Sequence, residues 1–260
     1  MQNYDAIIIG AGHNGLVTAA YLGKAGKKVL VLERRQVIGG IAATEEVFPG
    51  FKYSTCAHLA DSFSREIIAD LDLNKHGLEI LPLDPLLFAL TLTANPLVIS
   101  RDGGKTAEEI SRFSKADAAK FDSFCALIKK LSSFLGLLNG VSLPDGANAG
   151  RVNLAELVKL GWKFHRLGDK EMYEFLRILP MSMADLLNEW FESDLLKPAL
   201  AGASVLASFV GPRQQGTAFN FLHHQLGRSN GALREAGFVR GGIGSLPQAI
   251  ARAAEHFNVK

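Results

Sequence analysis

The sequence predicts an α/β fold, with a Rossmann-type dinucleotide-binding domain joined to a mostly helical second domain that contains a small antiparallel sheet. Three observations predict it. From Tyr4 to Gly40 a strand, a glycine turn, a helix and a second strand follow one another. Short apolar runs broken by Pro85 and Asn95-Pro96 come next, and a helical period takes over from about Thr106. Near the end a glycine-rich turn and one more helix lead into an apolar residue, Val259, of strand type.

The first unit is read residue by residue. Ala6–Ile9 has the length and β-branching of a buried strand, and Gly10, Gly12 and Gly15 fill the three glycine positions of the dinucleotide fingerprint. Gly10 serves the tight turn, Gly12 lets backbone approach a pyrophosphate, and Gly15 lets the helix pack closely on the strand. The helix, expected over Asn14–Ala25, aims its N-terminal amides and positive dipole end at that pyrophosphate. Lys28–Leu32 is the second strand. It ends at Glu33, roughly twenty residues after Gly10, where a carboxylate accepts hydrogen bonds from ribose hydroxyls. An acid there repels a 2′-phosphate, an objection softened by Arg34 and Arg35, so FAD or NAD is favoured over NADP. The competing reading is a plain βαβ unit whose Glu33 is a solvated strand end.

Phe48–Phe51 reads as a turn around Pro49-Gly50, and Lys52–Leu59 as a crossing segment. Its His58 is read as structural, with a catalytic role as the alternative. A short helix follows at Ser64–Leu71. Glu79–Pro82, Leu86–Thr93 and Leu97–Arg101 are expected to form one antiparallel sheet at the start of the second domain.

Helix signals then recur. Thr106 with Glu109 and Asn153 with Glu156 match an N-cap followed by an acid three residues on, and Ser114 with Asp117 is a weaker version. Phe121, Phe124, Cys125, Ile128, Leu131, Leu135 and Leu138 form one apolar stripe that ends at Asn139-Gly140. Further helices are expected at Leu154–Gly168, Lys170–Leu179, Met183–Phe191, Leu195–Phe209 and Thr217–Leu226. Trp162 and Trp190 read as helix core, with the lining of an apolar pocket as the alternative. His223 and His224 are adjacent, so their side chains point about 100° apart, and no third ligand stands one turn away; no metal site is expected. Gly241, Gly242 and Gly244 precede a helix running to Phe257, after which Asn258–Lys260 begins another strand.

Composition narrows the function class. The chain has 260 residues, is 48% hydrophobic and carries a net charge of +2, enough for a sizeable core and without a basic block for nucleic acid. Its two cysteines, Cys56 and Cys125, form neither a C-x-x-C pair nor a metal set and fit a reducing compartment. With no leader segment or membrane span in the pattern, a cytoplasmic protein is expected.

The doublet Gly39-Gly40 in ERRQVIGGIAAT resembles that of the FAD-dependent amine oxidase and carotenoid desaturase superfamily. PGFKYSTCAHL, LPMSMADLLNEWFESDLLKPALAGAS, GPRQQGTAFNFLHH and GGIGSLPQAIARAA are similar to its phytoene desaturase-related branch, so the resemblance runs through nearly the whole chain. It implies FAD as cofactor, held by Gly10, Ala11, Gly12, Asn14, Gly15, Glu33, Arg34, Gly39, Gly40 and Ile41, with His58 near the flavin ring. It implies an oxidoreductase that moves a hydride from a carbon–carbon or carbon–heteroatom single bond of a small molecule to flavin; the substrate does not follow from the resemblance, a lipophilic one being one reading. An NAD-binding dehydrogenase and a non-catalytic remnant with an interaction role are the alternatives, and no catalytic side chain is named. Residues 1–75 and 240–260 are expected to form the FAD domain and 76–239 the substrate or cap domain. Leu200–Val210 is read as a buried helix, with transient contact to a membrane surface as the other reading. Few parallel strands are present, and nothing matches the C-terminal segment that closes over the flavin in that family. The chain is therefore expected to be the N-terminal part of a longer enzyme, completed by a downstream half or by forming a homo-oligomer.

Overall fold

Ala6–Ile9 forms β1 and Val29–Leu32 forms β2, which pair in parallel with Ala6 opposite Val29 and Ile9 opposite Leu32. They belong to a computed structural model that describes residues 3–60, 63–91, 95–139, 158, 161–162, 164–166, 168–206, 208–226 and 237–260. The chain divides into two compact units, Met1–Leu83 with Ala236–Lys260, and Asp84–Glu235.

In the first unit the β1–β2 crossover is α1, His13–Lys24, whose buried face is Leu16, Ala19, Ala20 and Gly23. After β2, a 3-10 turn at Gly40–Ala42 leads to an antiparallel hairpin of β3, Thr44–Phe48, and β4, Phe51–Ser54. The helix α2, Arg65–Asp70, begins at Ser64, whose hydroxyl accepts from the Glu66 amide at 3.2 Å. This satisfies one of the orphan donors of a helix start. Next is β5, Ile80–Pro82.

The second unit opens with the antiparallel pair β6, Leu87–Ala89, and β7, Leu97–Ile99. Its helices are α3, Gly103–Ser111; α4, Lys115–Asn139; α5, Asp169–Ile178; α6, Met183–Trp190; α7, Leu196–Ala201; and α8, Thr217–His223. The α4 stripe is buried at Phe121, Phe124, Ile128, Leu131 and Leu135. Phe124 lies at its centre, with the rings of Phe191 and Trp190 at 5.1 and 5.5 Å, both edge-on. Asp117 is fully buried at the first turn of α4, and its carboxylate accepts from the Glu192 and Ser193 amides, each at 2.9 Å. A buried carboxylate is tolerated there because it has hydrogen bonds to both oxygens.

Two elements complete the first unit from the far end of the chain. β8, Gly237–Val239, pairs antiparallel with β5, and α9, Ser245–His256, packs on α1. The α1–α9 contact is made by small residues, Ala19 and Ala20 with Ala249 and Ala253 all fully buried, so the two backbones approach closely. The last residue then joins the sheet. The Lys260 amide donates to the Val29 carbonyl at 3.0 Å and the Val31 amide to the Lys260 carbonyl at 2.6 Å, the pattern of a parallel neighbour on the outer edge of β2.

Several sequence expectations are corrected. The segment Glu79–Pro82 does not join the Leu87 and Leu97 strands; its partner is Gly237–Val239, a pairing across more than half the chain that no local pattern encodes. α3 is capped by Asp102, which accepts from the Gly104 and Lys105 amides at 2.9 and 3.3 Å, and not by Thr106. Two glycines, poor helix formers, fill its first turn and disguise the start. Thr106 is buried inside that helix with its hydroxyl on the Ser100 and Asp102 carbonyls. The helix expected over Leu195–Phe209 spans Leu196–Ala201 and tightens to a 3-10 turn at Gly202–Ser204, and Phe209 lies fully exposed. Trp162 is largely exposed, its indole covered by the Arg166 guanidinium at 4.6 Å, so it is not helix core; Trp190 is half-buried against the core. α8 stops at His223 rather than Leu226. The hairpin β3–β4 replaces the crossing segment expected at Lys52, because charged Glu45 and Glu46 interrupt the apolar pattern by which a strand is recognised. The Asn153–Glu156 capping signal lies outside the described residues. Among the described residues no helix is long and apolar enough to cross a membrane.

Candidate dinucleotide site

The three fingerprint glycines have three different physical reasons. Gly10 has φ of +100°, a conformation that side-chain-bearing residues avoid, and its amide donates to the Leu32 carbonyl at 2.7 Å. A Cβ on Gly15 would collide with the Gly10 carbonyl oxygen and lie 3.3 Å from Ile8 Cγ2, so α1 sits against β1 only with glycine there. Gly12 is different. Its φ of −69° suits any residue, and a Cβ there would meet no protein atom within 4 Å. Neither backbone conformation nor protein packing asks for glycine at this position, and the space in front of it is open.

Gly12 is also the N-cap of α1. No side chain caps that end and no acidic residue lies in the first turn. The orphan amides of the first turn and the positive end of the helix dipole therefore face outward beside the open space. Such an arrangement binds anions, a pyrophosphate among them.

Glu33 stands at the end of β2 next to this turn. Its Oε1 accepts from the Arg35 amide at 2.9 Å and its Oε2 from the Ala11 amide at 2.8 Å. These two bonds, the Arg35 one first, hold the carboxyl below its ordinary range, so it is ionised at neutral pH. A carboxylate has about four lone-pair positions, so Glu33 can still accept from a hydroxyl donor. Arg34 is exposed beside it. Arg35 is paired with Glu45, a guanidinium nitrogen lying 2.6 Å from Glu45 Oε2, and its positive charge also acts on Glu33.

The doublet closes the other side. The Gly39 amide donates to the Ala11 carbonyl at 2.8 Å, and Gly12 and Gly39 form a parallel bridge. Gly39 has φ of +114° and a Cβ there would lie 2.7 Å from Pro247 Cγ, while one on Gly40 would lie 3.3 Å from the Gly12 Cα. The Gly241–Gly244 turn is locked in turn by the hairpin. The Gly244 amide donates to Thr44 Oγ1 at 2.9 Å, the Ile243 amide to Ser54 Oγ at 3.3 Å, and Thr44 fills the space a Cβ on Gly242 would need. Thr44, Ser54 and Pro247 are not singled out by the sequence pattern; a polar residue opposite a glycine cluster is visible as such only once folded.

A cavity of about 470 Å³ opens beside the helix start, lined by His13, Asn14, Ile41, Leu59, Phe63 and Ile243 among others. Of the sequence-derived residues, Gly10, Ala11, Gly12, Asn14, Gly15, Glu33, Gly39, Gly40 and Ile41 thus gather around one helix terminus, with Arg34 at its rim. His58 is exposed and is not part of the cavity lining. Cys56 is exposed, and Cys125 is half-buried on α4 in the other unit. The His223 and His224 rings lie 6.1 Å apart; burial, then its neighbour's charge, pushes the His223 imidazole below its ordinary value. No group of three metal-ligating side chains occurs among the described residues.

Comparison with known proteins agrees with this geometry. Residues 8–71 match the model of the NAD(P)-binding Rossmann-like domain. The chain is 35% identical to pyridine nucleotide-disulfide oxidoreductase domain-containing protein 2 of Rattus norvegicus, over 96% of this chain and 45% of that protein. It is 37% identical to one of the subunits of limonene dehydrogenase from Castellaniella defragrans over 51% of this chain and 24% of that one. Among solved structures, a putrescine oxidase variant superposes with a TM-score of 0.54 at 15% identity, over 98% of this chain and 50% of that chain. The Rab GDI of Plasmodium falciparum has a TM-score of 0.54 at 12% identity, over 98% and 56%. These two likenesses are of fold. The chain spans about half the length of the curated relatives it matches.

Proposed function

The chain belongs to the oxidoreductase family of pyridine nucleotide-disulfide oxidoreductase domain-containing protein 2, and from that premise we propose that its dinucleotide is FAD and its reaction a flavin-dependent dehydrogenation. The observation that carries the reading is the open space before Gly12, at an uncapped helix start, between Glu33 and a cavity large enough for a ring system. NAD shares the adenosine half, so the fingerprint alone does not separate the two. The cavity favours FAD. Its lining is mostly apolar, with His13 and Asn14 as polar groups near the helix start, as suits a flat, amphipathic ring attached to a pyrophosphate.

In this reading the chain's residues bind and orient. The first-turn amides of α1 neutralise the pyrophosphate, Gly12 admits it, and Glu33 accepts from ribose hydroxyls. Arg34 lies at the adenosine end. Gly39 and Gly40 hold the second loop against the first, and Ile41 presents an apolar side chain to the cavity. Bound FAD supplies the redox chemistry, accepting a hydride from a carbon–carbon or carbon–heteroatom single bond of a small, lipophilic substrate. The resemblance to a component of limonene dehydrogenase supports the apolar substrate class.

A second reading is favoured by the half-length match: these residues hold the adenosine end of the cofactor, and turnover requires further polypeptide. An absorbance spectrum of the purified protein, alone and after incubation with FAD and removal of excess, tests the cofactor. A flavin spectrum that stays with the protein is expected. Retention of NAD and not FAD would replace the proposal by the NAD-dehydrogenase reading.

A further inference from the structure

β1 is built like the middle of a sheet and placed at its edge. All four residues, Ala6–Ile9, are apolar, a run typical of strands covered on both faces. Exposed edges in natural proteins are normally blunted by charge, proline or a bulge, and β1 has none of these. Among the described residues its sheet has two named strands, β1 and β2, with Lys260 on the far edge of β2.

Among the described residues no strand pairs with the outer edge of β1, and one of its faces is exposed. The Ala6 and Gly10 amides point to β2, so the alternation along a strand directs those of Ile7 and Ile9 to the opposite edge. Ile8 faces α1, near Gly15. On the opposite face Ile7, Ile9 and Leu32 are 58%, 88% and 49% exposed, Leu32 standing directly across from Ile9.

We propose that this edge and face seat a parallel strand, with its covering segment, from the polypeptide that makes up the length of the relatives this chain does not match. The inference rests on the dinucleotide-domain reading above. The chain covers 45% of its rat relative, so more than half of that relative has no counterpart here and is long enough to supply such a segment. A second copy of this chain fits less well. Edge-to-edge pairing of two β1 strands satisfies the Ile7 and Ile9 amides but leaves the apolar face in water, whereas a larger segment covers both.

The test mixes the intact chain with the unmatched part of the rat relative, produced as a separate polypeptide. Sedimentation and amide hydrogen exchange are read with no flavin present. A one-to-one complex is expected, with exchange at Ile7 and Ile9 slowed at least tenfold. Ile9→Lys, at a position already in water, is expected to leave the melting temperature of the chain unchanged and to prevent the complex. The proposal is overturned by no complex, by a complex that leaves those two amides unprotected, by one that Ile9→Lys does not weaken, or by self-association that protects them in the chain alone. Flavin retention is measured separately by absorbance, so loss of the cofactor reading with protected amides, or the reverse, tells the two proposals apart.

Discussion

The Ala11 amide donates to Glu33 at 2.8 Å, so the acid at the end of β2 braces the glycine turn beside it. That brace depends on charge. The folded carboxyl titrates below its ordinary range because the Arg35 and Ala11 amides stabilise the ionised form. The unfolded chain therefore binds the proton first as pH falls. Stability from this group is complete above the ordinary carboxylate range and is lost as pH drops through the lower folded value. Glu45, lowered by its pair with Arg35, adds in the same direction. The expected outcome is a melting temperature that falls on acidification, with a shallower fall in Glu33→Gln. A carbon-detected titration of Glu33 with a midpoint at or above that of a model peptide would contradict it.

A second expectation concerns the thiols. Cys56 is exposed in one unit and Cys125 half-buried in the other, and neither belongs to a closely spaced pair. No dithiol–disulfide exchange is expected, despite the name of the rat relative. Thiol titration should find two reactive thiols in the unfolded protein with and without reductant. The Cys56→Ser, Cys125→Ser double variant should hold flavin like the parent, losing about 1 kcal/mol where a hydroxyl replaces the Cys125 thiol. A loss of flavin reduction in that variant would overturn this.

What the sequence made legible was local. Gly10, Gly12, Gly15 and Glu33 are recognisable because turn, helix and strand fall in order within one βαβ unit, and the α4 stripe is recognisable because Phe121, Phe124, Ile128 and Leu131 keep one helical period. What stayed hidden was pairing at a distance. Ile80–Pro82 finds Gly237–Val239, Thr44 finds Gly244, and Gly39 meets Pro247, and none of these partners leaves a mark near the other in the chain. Local over-reading has its own cause: the apolar run after Leu195 looks helical, but Gly202 and the following residues tighten it to a 3-10 turn.

Thr44 provides a third test. Its hydroxyl accepts from the Gly244 amide, and its side chain occupies the place where a Cβ on Gly242 would stand. Thr44→Val keeps the shape and removes the acceptor, leaving a part-buried amide unpaired at about 1–3 kcal/mol. Gly242→Ala meets Thr44 and forces a side chain to φ of +91°, and is expected to cost more. Chemical denaturation of both variants checks the order, and a Thr44→Val variant as stable as the parent would remove this contact from the account.

The sharpest test separates the glycine that the protein needs from the glycine that its ligand needs. Gly15→Ala drives a methyl into the Gly10 carbonyl, and overpacking of that kind costs about 1–3 kcal/mol. For a chain of this size that lowers Tm by about 2–4 °C per kcal/mol. A Cβ on Gly12 meets no protein atom within 4 Å, so Gly12→Val is expected to cost roughly the 1 kcal/mol of a poorer N-cap. Yet its branched side chain fills the open space in which the proposed cofactor's pyrophosphate would approach backbone. Gly12→Val is therefore expected to fold and to lose FAD uptake, whereas Gly15→Ala loses stability and takes up FAD in whatever fraction remains folded. Melting curves and flavin absorbance on the two variants decide it. Full flavin retention by Gly12→Val would mean that the space before Gly12 is not the pyrophosphate site.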